Sequence, residues 1–515
     1  MDDRLAAQLR LLPDYLAQHV VLSAAALALG VAIALPLALL AARRPAVRWP
    51  VMAAASLVQT IPGLALLALF YPLLLGISAL TAQAFGFAVP ALGFLPALLA
   101  LALYSMLPIL RNGVAGLTGL DPAVLEAADG VGMTKRQRLL RVELPLAAPV
   151  VMAGIRTAAV WTIGTATLAT PVGQTSLGNF IFSGLQTENW IAVLVGCIAA
   201  ALLALVVDQL LGLIEWGAAR RDPVRILAGL AVLIAGTLAA LSPLLASGRT
   251  TYVIGAKNFS EQFILSDLIG SRLEKAGFAV AHKDGLGSAV IFQALAAGDI
   301  DVYVDYTGTL WENVIGRHDV PPRDAMLRET TRWMAANKGV TVLGALGFEN
   351  AYALAMKADR ARALGVRTIA DLAPHAPDLR LGADLEFLSR PEWAALKAAY
   401  GLNFKATQSY NPTFMYRALD SGAVDVISAF SSDGRIAADR LAVLGDPKGA
   451  LPSYDAVVLL SPRRARDQAL RTALAPLLGA IPVELMRQAN LMVDRANDKR
   501  SPHDAAEFLA AHLGR

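Results

Sequence analysis

Apolar and polar positions follow two different rhythms along this chain. Up to about Leu245, long runs of Ala, Leu, Val and Ile are broken only at wide intervals; beyond Thr250 short apolar runs alternate with amphipathic stretches. A hydrocarbon layer about 30 Å thick is crossed by roughly 20 mostly apolar helical residues. Six segments qualify: Val20–Ala41, Pro50–Leu75, Leu92–Ile109, Ala147–Leu168, Trp190–Ile214 and Ile226–Leu245. A shorter apolar stretch, Ala79–Phe87, reads as an interfacial helix. After the linker "ASGRT" comes the strand "TYVIGA", a helix over Ser260–Ala276, the strand "FAVAHK", a helix over Ser288–Ala297 and the strand "DIDVYVDY". That βαβαβ run predicts an α/β lobe with a mostly parallel sheet. "AYALAM", "LRLGAD" and "VDVISAF" predict a second lobe from Phe348 to about Pro452, and the helical tail Ala469–Asp494 returns to the first. Two lobes joined by crossings leave a cleft, where small ligands bind.

Composition sharpens the division. The 515 residues are 56% hydrophobic and 17% charged, with mean hydropathy +0.52, which excludes an ordinary soluble enzyme and makes lipid a partner. Residues 1–250 hold 15 Lys/Arg and 11 Asp/Glu, and residues 251–515 hold 30 of each, so the net charge of +4 comes wholly from the apolar part. Orientation in a bilayer explains that excess, and a nucleic-acid partner is discarded. The lone Cys197 allows no intrachain disulfide and no thiolate metal cluster. The start is acidic and its apolar run ends in "AARRP", opposite to a cleaved signal peptide, so the first span is expected to stay.

Lys and Arg fall in alternate loops: Arg43, Arg44 and Arg48; then Arg111, Lys135, Arg136, Arg138 and Arg141; then Arg220, Arg221 and Arg225. Residues 76–91 and 169–189 have none. Cytoplasmic loops accumulate these residues, so the basic loops lie inside, and the N terminus and residues 251–515 lie outside. The expected domains are a membrane core (1–222), a further transmembrane helix with its linker (223–250) and an extracytoplasmic bilobed domain (251–515).

The segment "LDPAVLEAADGVGMTKRQRLLRVELP" is thereby cytoplasmic. Asp121 is a candidate N-cap, Pro122 a first helical residue, and Gly130 and Gly132 the stop, which makes a short helix with Ala127, Ala128 and Val131 as an apolar patch. One reading is a solvated loop that only holds topology; the other is a helix that docks in a partner's groove. Glu126, Ala127, Ala128, Gly132, Val142, Leu144 and Pro145 resemble the coupling-helix signature of binding-protein-dependent ABC permeases, E-A-A-x3-G-x9-I-x-L-P, with Val142 for the usual isoleucine. The resemblance extends over much of residues 20–215, toward the osmoprotectant permeases. It implies that Glu126, Ala127, Ala128, Gly132 and Pro145 couple the core to a cytoplasmic ATPase, and that the protein sits in a bacterial inner membrane. The chain has no G-x-x-x-x-G-K-[ST] loop, so the ATPase is expected on a separate polypeptide. Paired permease chains, most simply a homodimer, would surround one pathway.

"GAKNFSEQFIL", "GLGS", "DIDVYVDYTGT", "GFENAYALAM", "EFLSR" and "FMYRALDSGAVDVISAFSSDGRI" resemble, in order, blocks of the glycine betaine, carnitine and choline binding proteins. The resemblance implies an α-helical permease of about six spans followed by a bilobed α/β domain of the type II periplasmic-binding-protein kind, as in ergothioneine-type fusions. A quaternary ammonium group donates no hydrogen bond, so it is gripped by ring faces and shape. Tyr306, Tyr352, Phe430 and Tyr454 are carried over as ring candidates, each alternatively a packing aromatic. For a ligand carboxylate the helix starts at Ser260 and Ser288 are candidates, and Gln262 and Thr309 match contact positions; their ordinary alternative is capping and turn chemistry. Where the family reads A-Y-S-T-D this chain has "AFSSD", so Phe430 keeps a ring face without a hydroxyl, which favours a larger betaine such as ergothioneine. No catalytic constellation, metal-ligand spacing or cofactor motif stands out. The competing class is a ligand-gated receptor or channel with a bilobed sensor.

Overall fold

A computed structural model describes residues 3–86, 89–187, 189–245, 251–495 and 498–513. The chain forms two compact units, Met1–Phe182 with Ile191–Gly248, and Ser183–Trp190 with Arg249–Arg515. The linker 246–250 lies outside the described residues.

The first unit is helical: α1 (Asp3–Arg43), α2 (Pro45–Thr60), α3 (Gly63–Phe85), α4 (Phe94–Thr118), α5 (Pro122–Gly130), α6 (Lys135–Arg138), α7 (Leu144–Ala166), α8 (Gly178–Gln186), α9 (Trp190–Arg220) and α10 (Pro223–Leu245). Among the described residues, six helical stretches are long and apolar enough to cross a membrane. Two differ from expectation. The predicted span Pro50–Leu75 is broken, because Ile61 precedes Pro62 and takes an extended backbone (φ −73°, ψ 127°), which ends α2. The crossing element is α3, and it takes in residues 79–85, so that stretch is no separate interfacial helix; Phe87 lies outside the described residues. α1 begins well before the predicted span and, at about 1.5 Å per residue, is roughly twice as long as the hydrocarbon layer is thick.

α4 is the central helix, packed on α1 and α7. In lipid, close van der Waals approach rather than the hydrophobic effect holds helices together, which favours small residues. A Cβ on Gly113 would meet Ala38 at 2.7 Å, and one on Gly154 would meet Asn112 at 2.6 Å and the Pro108 carbonyl at 2.8 Å. One ionic tie joins α7 to α9: Arg156 reaches Asp208 at 2.8 and 3.0 Å and Glu215 at 2.7 Å. Such charges inside a membrane protein persist only when paired. Leu227, Val232, Ile234 and Leu238 of α10 are exposed in this chain, a face suited to lipid.

The second unit is bilobed. Lobe 1 carries β1 (Thr251–Lys257), β2 (Ala279–Leu286), β3 (Val302–Tyr306), β4 (Thr341–Glu349) and β10 (Asp455–Leu460), in the order β2-β1-β3-β10-β4. Lobe 2 carries β5 (Tyr352–Lys357), β6 (Arg380–Ala383), β7 (Ala406–Ser409), β8 (Val426–Phe430) and β9 (Leu441–Leu444), in the order β7-β6-β8-β5-β9. β1 pairs in parallel with β2 and β3, as the βαβαβ pattern predicts, and β6 likewise with β7 and β8. β10 runs antiparallel to β3 and β4, and β5 antiparallel to β8 and β9, so each sheet is mixed. The helices α11 (Ser260–Lys275) and α12 (Ser288–Ala297) are the crossovers of lobe 1. The chain leaves lobe 1 after β4 and returns between β9 and β10, two crossings that make lobe 2 an insertion in lobe 1. The tail helix Val483–Asp494 packs on β4 and α11, in lobe 1 as expected.

Candidate functional site

Strand ends carry the aromatic residues to the lobe junction. Tyr306 ends β3, Tyr352 opens β5, Phe430 ends β8 opposite Tyr352 in the antiparallel register, and Phe259 precedes α11 in an extended conformation (φ −148°, ψ 159°). Their rings form one continuous wall. Phe259 stacks on Tyr306 with centroids 6.3 Å apart and lies parallel to Phe430 at 6.4 Å with 3° between planes; Phe430 meets Tyr352 at 5.0 Å. Tyr352 touches Phe387 at 4.9 Å and meets Tyr454 edge-on at 5.7 Å. Phe259 and Phe430 are half-buried, whereas Tyr306, Tyr352 and Tyr454 are buried. Gly308 makes room for Tyr454, since a Cβ there would lie 2.7 to 2.8 Å from its ring.

Beneath the wall lies a buried carboxylate that the sequence reading missed. Glu261 Oε1 accepts from Tyr306 Oη at 2.6 Å and Asn350 Nδ2 at 3.0 Å, and Oε2 accepts from Asn490 Nδ2 at 2.8 Å. Burial pushes its carboxyl above the usual range, while hydrogen bonds from Ser432, Tyr306, Asn490 and Asn350 pull it back. Burial, then the Glu261 charge, drive the Tyr306 phenol well above its ordinary value. Gln262 is a supporting residue: Nε2 donates to Tyr306 Oη at 3.0 Å and Oε1 accepts from the Lys257 amide at 3.3 Å. Lys257 itself is paired with Asp305.

A second polar group spans the lobes. Arg390, buried, donates to Thr309 Oγ1 at 3.2 Å and Glu392 Oε1 at 3.2 Å, pairs with Glu386 and approaches Tyr454 Oη at 3.4 Å. Tyr454 donates to Glu392, and Ser288 Oγ donates to Glu386 Oε1 at 2.7 Å. Glu312 of lobe 1 lies beside Glu392 of lobe 2; burial and then Glu392 push Glu312 up to about 10. For Glu392, burial is outweighed by the bond from Glu312 and the Arg390 charge, which hold it below its ordinary value.

Of the eight predicted ligand residues, Tyr306, Tyr352 and Phe430 share the wall and Tyr454 adjoins it through Tyr352. Ser260 and Ser288 do not offer free hydroxyls: Ser260 Oγ donates to Asp494 at 2.6 Å and Ser288 to Glu386. Thr309 is engaged by Arg390. Phe259 and Glu261 lie inside the quoted "GAKNFSEQFIL", and Arg390 ends "EFLSR", so family blocks held a signal for them. Glu312 and Glu392 meet only in three dimensions.

In the helical unit α5 follows its sequence grammar. Asp121 caps it, accepting from the Ala123 amide at 2.9 Å; Pro122 is its first residue; Gly132 takes φ +78° just beyond it. Glu126, Ala127 and Pro145 are exposed, and Val131 is 74% exposed. Ala128 is buried, so it belongs to the inner face and the proposed apolar patch reduces to Ala127 and Val131. Arg138 joins Asp129 (2.6 Å) to Glu143 (2.8 Å), tying α5 to the turn that leads into α7.

A bilobed ligand-binding unit with an aromatic wall at its junction, on a chain whose other unit is a polytopic apolar helix bundle, defines a permease carrying its own binding domain. The family described as the substrate binding domain of ABC-type glycine betaine transport systems matches residues 250–511, and the binding-protein-dependent transport system inner membrane component matches residues 34–218. The ergothioneine transport permease/ergothioneine binding protein EgtU of Helicobacter pylori (strain G27) is 30% identical over 474 residues, 88% of this chain and 82% of that one. The choline transport system permease protein OpuBB of Bacillus subtilis (strain 168) is 39% identical over 198 residues, 38% of this chain and 84% of that protein. A solved glycine betaine/carnitine/choline ABC transporter structure aligns with 51% of this chain and 98% of its own, at 29% identity and TM-score 0.45. The chain belongs to the binding-protein-dependent ABC importers of the inner membrane in which permease and glycine-betaine-type binding domain are one polypeptide.

Proposed function

We propose that this chain is the permease and substrate-binding subunit of an ATP-driven importer for a quaternary-ammonium or betaine compound, of the kind of glycine betaine, choline, carnitine or ergothioneine. The observation that carries the reading is the wall Tyr306–Phe259–Phe430–Tyr352 at the lobe junction with the buried carboxyl group of Glu261 behind it. Ring faces attract a cation that has no proton to donate, at about 0.5 to 2 kcal/mol each. In this reading Tyr306, Tyr352, Phe430 and Phe259 hold the ammonium group, while Arg390, whose Nε is buried without a partner, turns toward the ligand carboxylate. In the same reading the binding domain lies on the periplasmic side, which the arginine distribution of the loops supports. A separate cytoplasmic ATPase docks on α5 through Glu126, Ala127 and Val131, with Gly132 and Pro145 shaping the turn around it, and two copies of the chain surround the pathway.

The test is ATP hydrolysis by the full chain reconstituted in lipid with its ATPase. One of the four compounds should stimulate turnover, and Glu126→Arg should abolish stimulation while ligand binding persists. Stimulation by none of them would remove the betaine reading; a ligand-gated ion current without ATPase coupling would replace it with a channel.

A further inference from the structure

Glu261 is 3% exposed, and its hydrogen-bond partners are all uncharged: Tyr306, Asn350, Asn490 and Ser432. A buried carboxylate without a cation is costly, so its neighbours must either neutralise it with a proton or solvate the charge. Here the geometry favours the charge. Asn490 Nδ2 donates both to Glu261 Oε2 and to the Ser432 carbonyl at 3.0 Å, so its amide cannot turn its oxygen toward Glu261 without setting two oxygens face to face. The Tyr306 hydroxyl accepts from Gln262 Nε2, which directs its own proton to Glu261 at 2.6 Å. Glu261 is also the second residue of the 16-residue α11, where the helix dipole favours an anion. The Lys257 ammonium, 5.3 Å from the centre of the Tyr306 ring, is paired with Asp305. The lobe junction therefore keeps a negative charge hydrogen-bonded to the Tyr306 phenol of the ring wall itself.

We propose that Glu261 sets the charge specificity of the site, acting through Tyr306: it is the buried counter-charge for a permanently cationic ligand group, and its bond to the phenol makes the Tyr306 ring richer in electrons. The proposal rests on the betaine reading of the wall. Glu261 positions and polarises Tyr306 and does not itself touch the ligand. Ser432 comes from lobe 2, Asn350 from the first crossing, and Glu261, Tyr306 and Asn490 from lobe 1, so the anion's hydrogen bonds are complete only with the lobes together. A neutral ligand of the same shape gains nothing from this arrangement.

The test uses the full chain in detergent and whichever of choline, glycine betaine, carnitine and ergothioneine it binds, paired with the isostere in which tert-butyl replaces trimethylammonium. Glu261→Gln keeps the volume and removes the charge. The expected result is that affinity for the ammonium compound falls at least about tenfold while the isostere changes by less than about twofold. A parallel loss for both compounds would make Glu261 structural and overturn the proposal, as would no change for either. A second readout is the Cζ resonance of Tyr306 labelled with carbon-13, assigned with Tyr306→Phe: it should move upfield in Glu261→Gln without any ligand, and a fixed resonance would overturn the polarised phenol. If the unaltered chain binds none of the four compounds, the betaine reading falls and takes this inference with it; if it binds one and Glu261→Gln leaves that affinity intact, only this inference falls.

Discussion

Tyr352 touches more of the wall than any other predicted ring: Phe430 and Phe387 pack against it and Tyr454 meets it edge-on. Replacing it removes a ring face and the support of its neighbours. Tyr352→Ala should weaken ligand binding by at least about tenfold, about 1.4 kcal/mol, measured by titration calorimetry with thermal unfolding as the control for folding. An unchanged affinity would remove Tyr352 from the site. That these rings open or end strands was legible in the sequence, because short recognisable blocks carry them. Glu261 was not, although it sits in one of those blocks, because a glutamate in a helix's first turn ordinarily does dipole and capping work. Only the fold brings Asn350 and Asn490, 89 and 229 residues away, against its oxygens. Ser260 and Ser288 stand at helix starts as predicted, and their hydroxyls donate to carboxylates of this chain.

At the scale of elements, hydrophobic length located the spans and proline decided their ends. Pro50–Leu75 looked continuous by hydropathy, but the restriction Pro62 places on Ile61 outweighs apolar content. Local grammar served α5 better, since cap, first-turn proline and terminal glycine all act within a few residues of each other. Gly132 has φ +78°, a region that costs a residue with a Cβ about 1 kcal/mol or more. Gly132→Val should therefore distort the turn after α5, lowering ligand-stimulated ATP hydrolysis several-fold at unchanged ligand affinity. Equal hydrolysis in the two proteins would show that this turn is not part of the coupling. In the binding domain, Gly308→Ala forces Tyr454 away from its seat, because the added carbon meets the ring on both edges. The expected outcome is a loss of thermal stability together with weaker ligand binding, with Thr309→Ala as the comparison that spares the ring.

For the whole binding domain, the raised Glu312 carboxyl beside Glu392 links closure to pH. Apart, each carboxyl has its ordinary value; brought together, burial and the neighbouring carboxylate push Glu312 up to about 10. Closing thus takes up a proton at neutral pH, and its contribution is complete below the ordinary carboxylate range and is lost as pH rises toward that raised value. Ligand affinity should decline from about pH 6 to about pH 9, with a limiting slope of about tenfold per pH unit. Glu312→Gln supplies a permanent donor and should flatten the profile; a profile that stays sloped in this variant would exclude the pair as its origin. No sequence pattern could announce this pair, since its members belong to different lobes.

The two crossings between the lobes also impose an order of assembly. Every strand of lobe 2 lies between β4 and β10, and β10 is an interior strand of the lobe 1 sheet, flanked by β3 and β4. As the chain emerges, lobe 2 has all five of its strands before lobe 1 can join β3 to β4. The long loop that β10 must close makes this the slow step. Lobe 1 therefore waits, half a sheet with open edges, on a lobe that is already complete, and it is this waiting state that chaperones and proteases would meet.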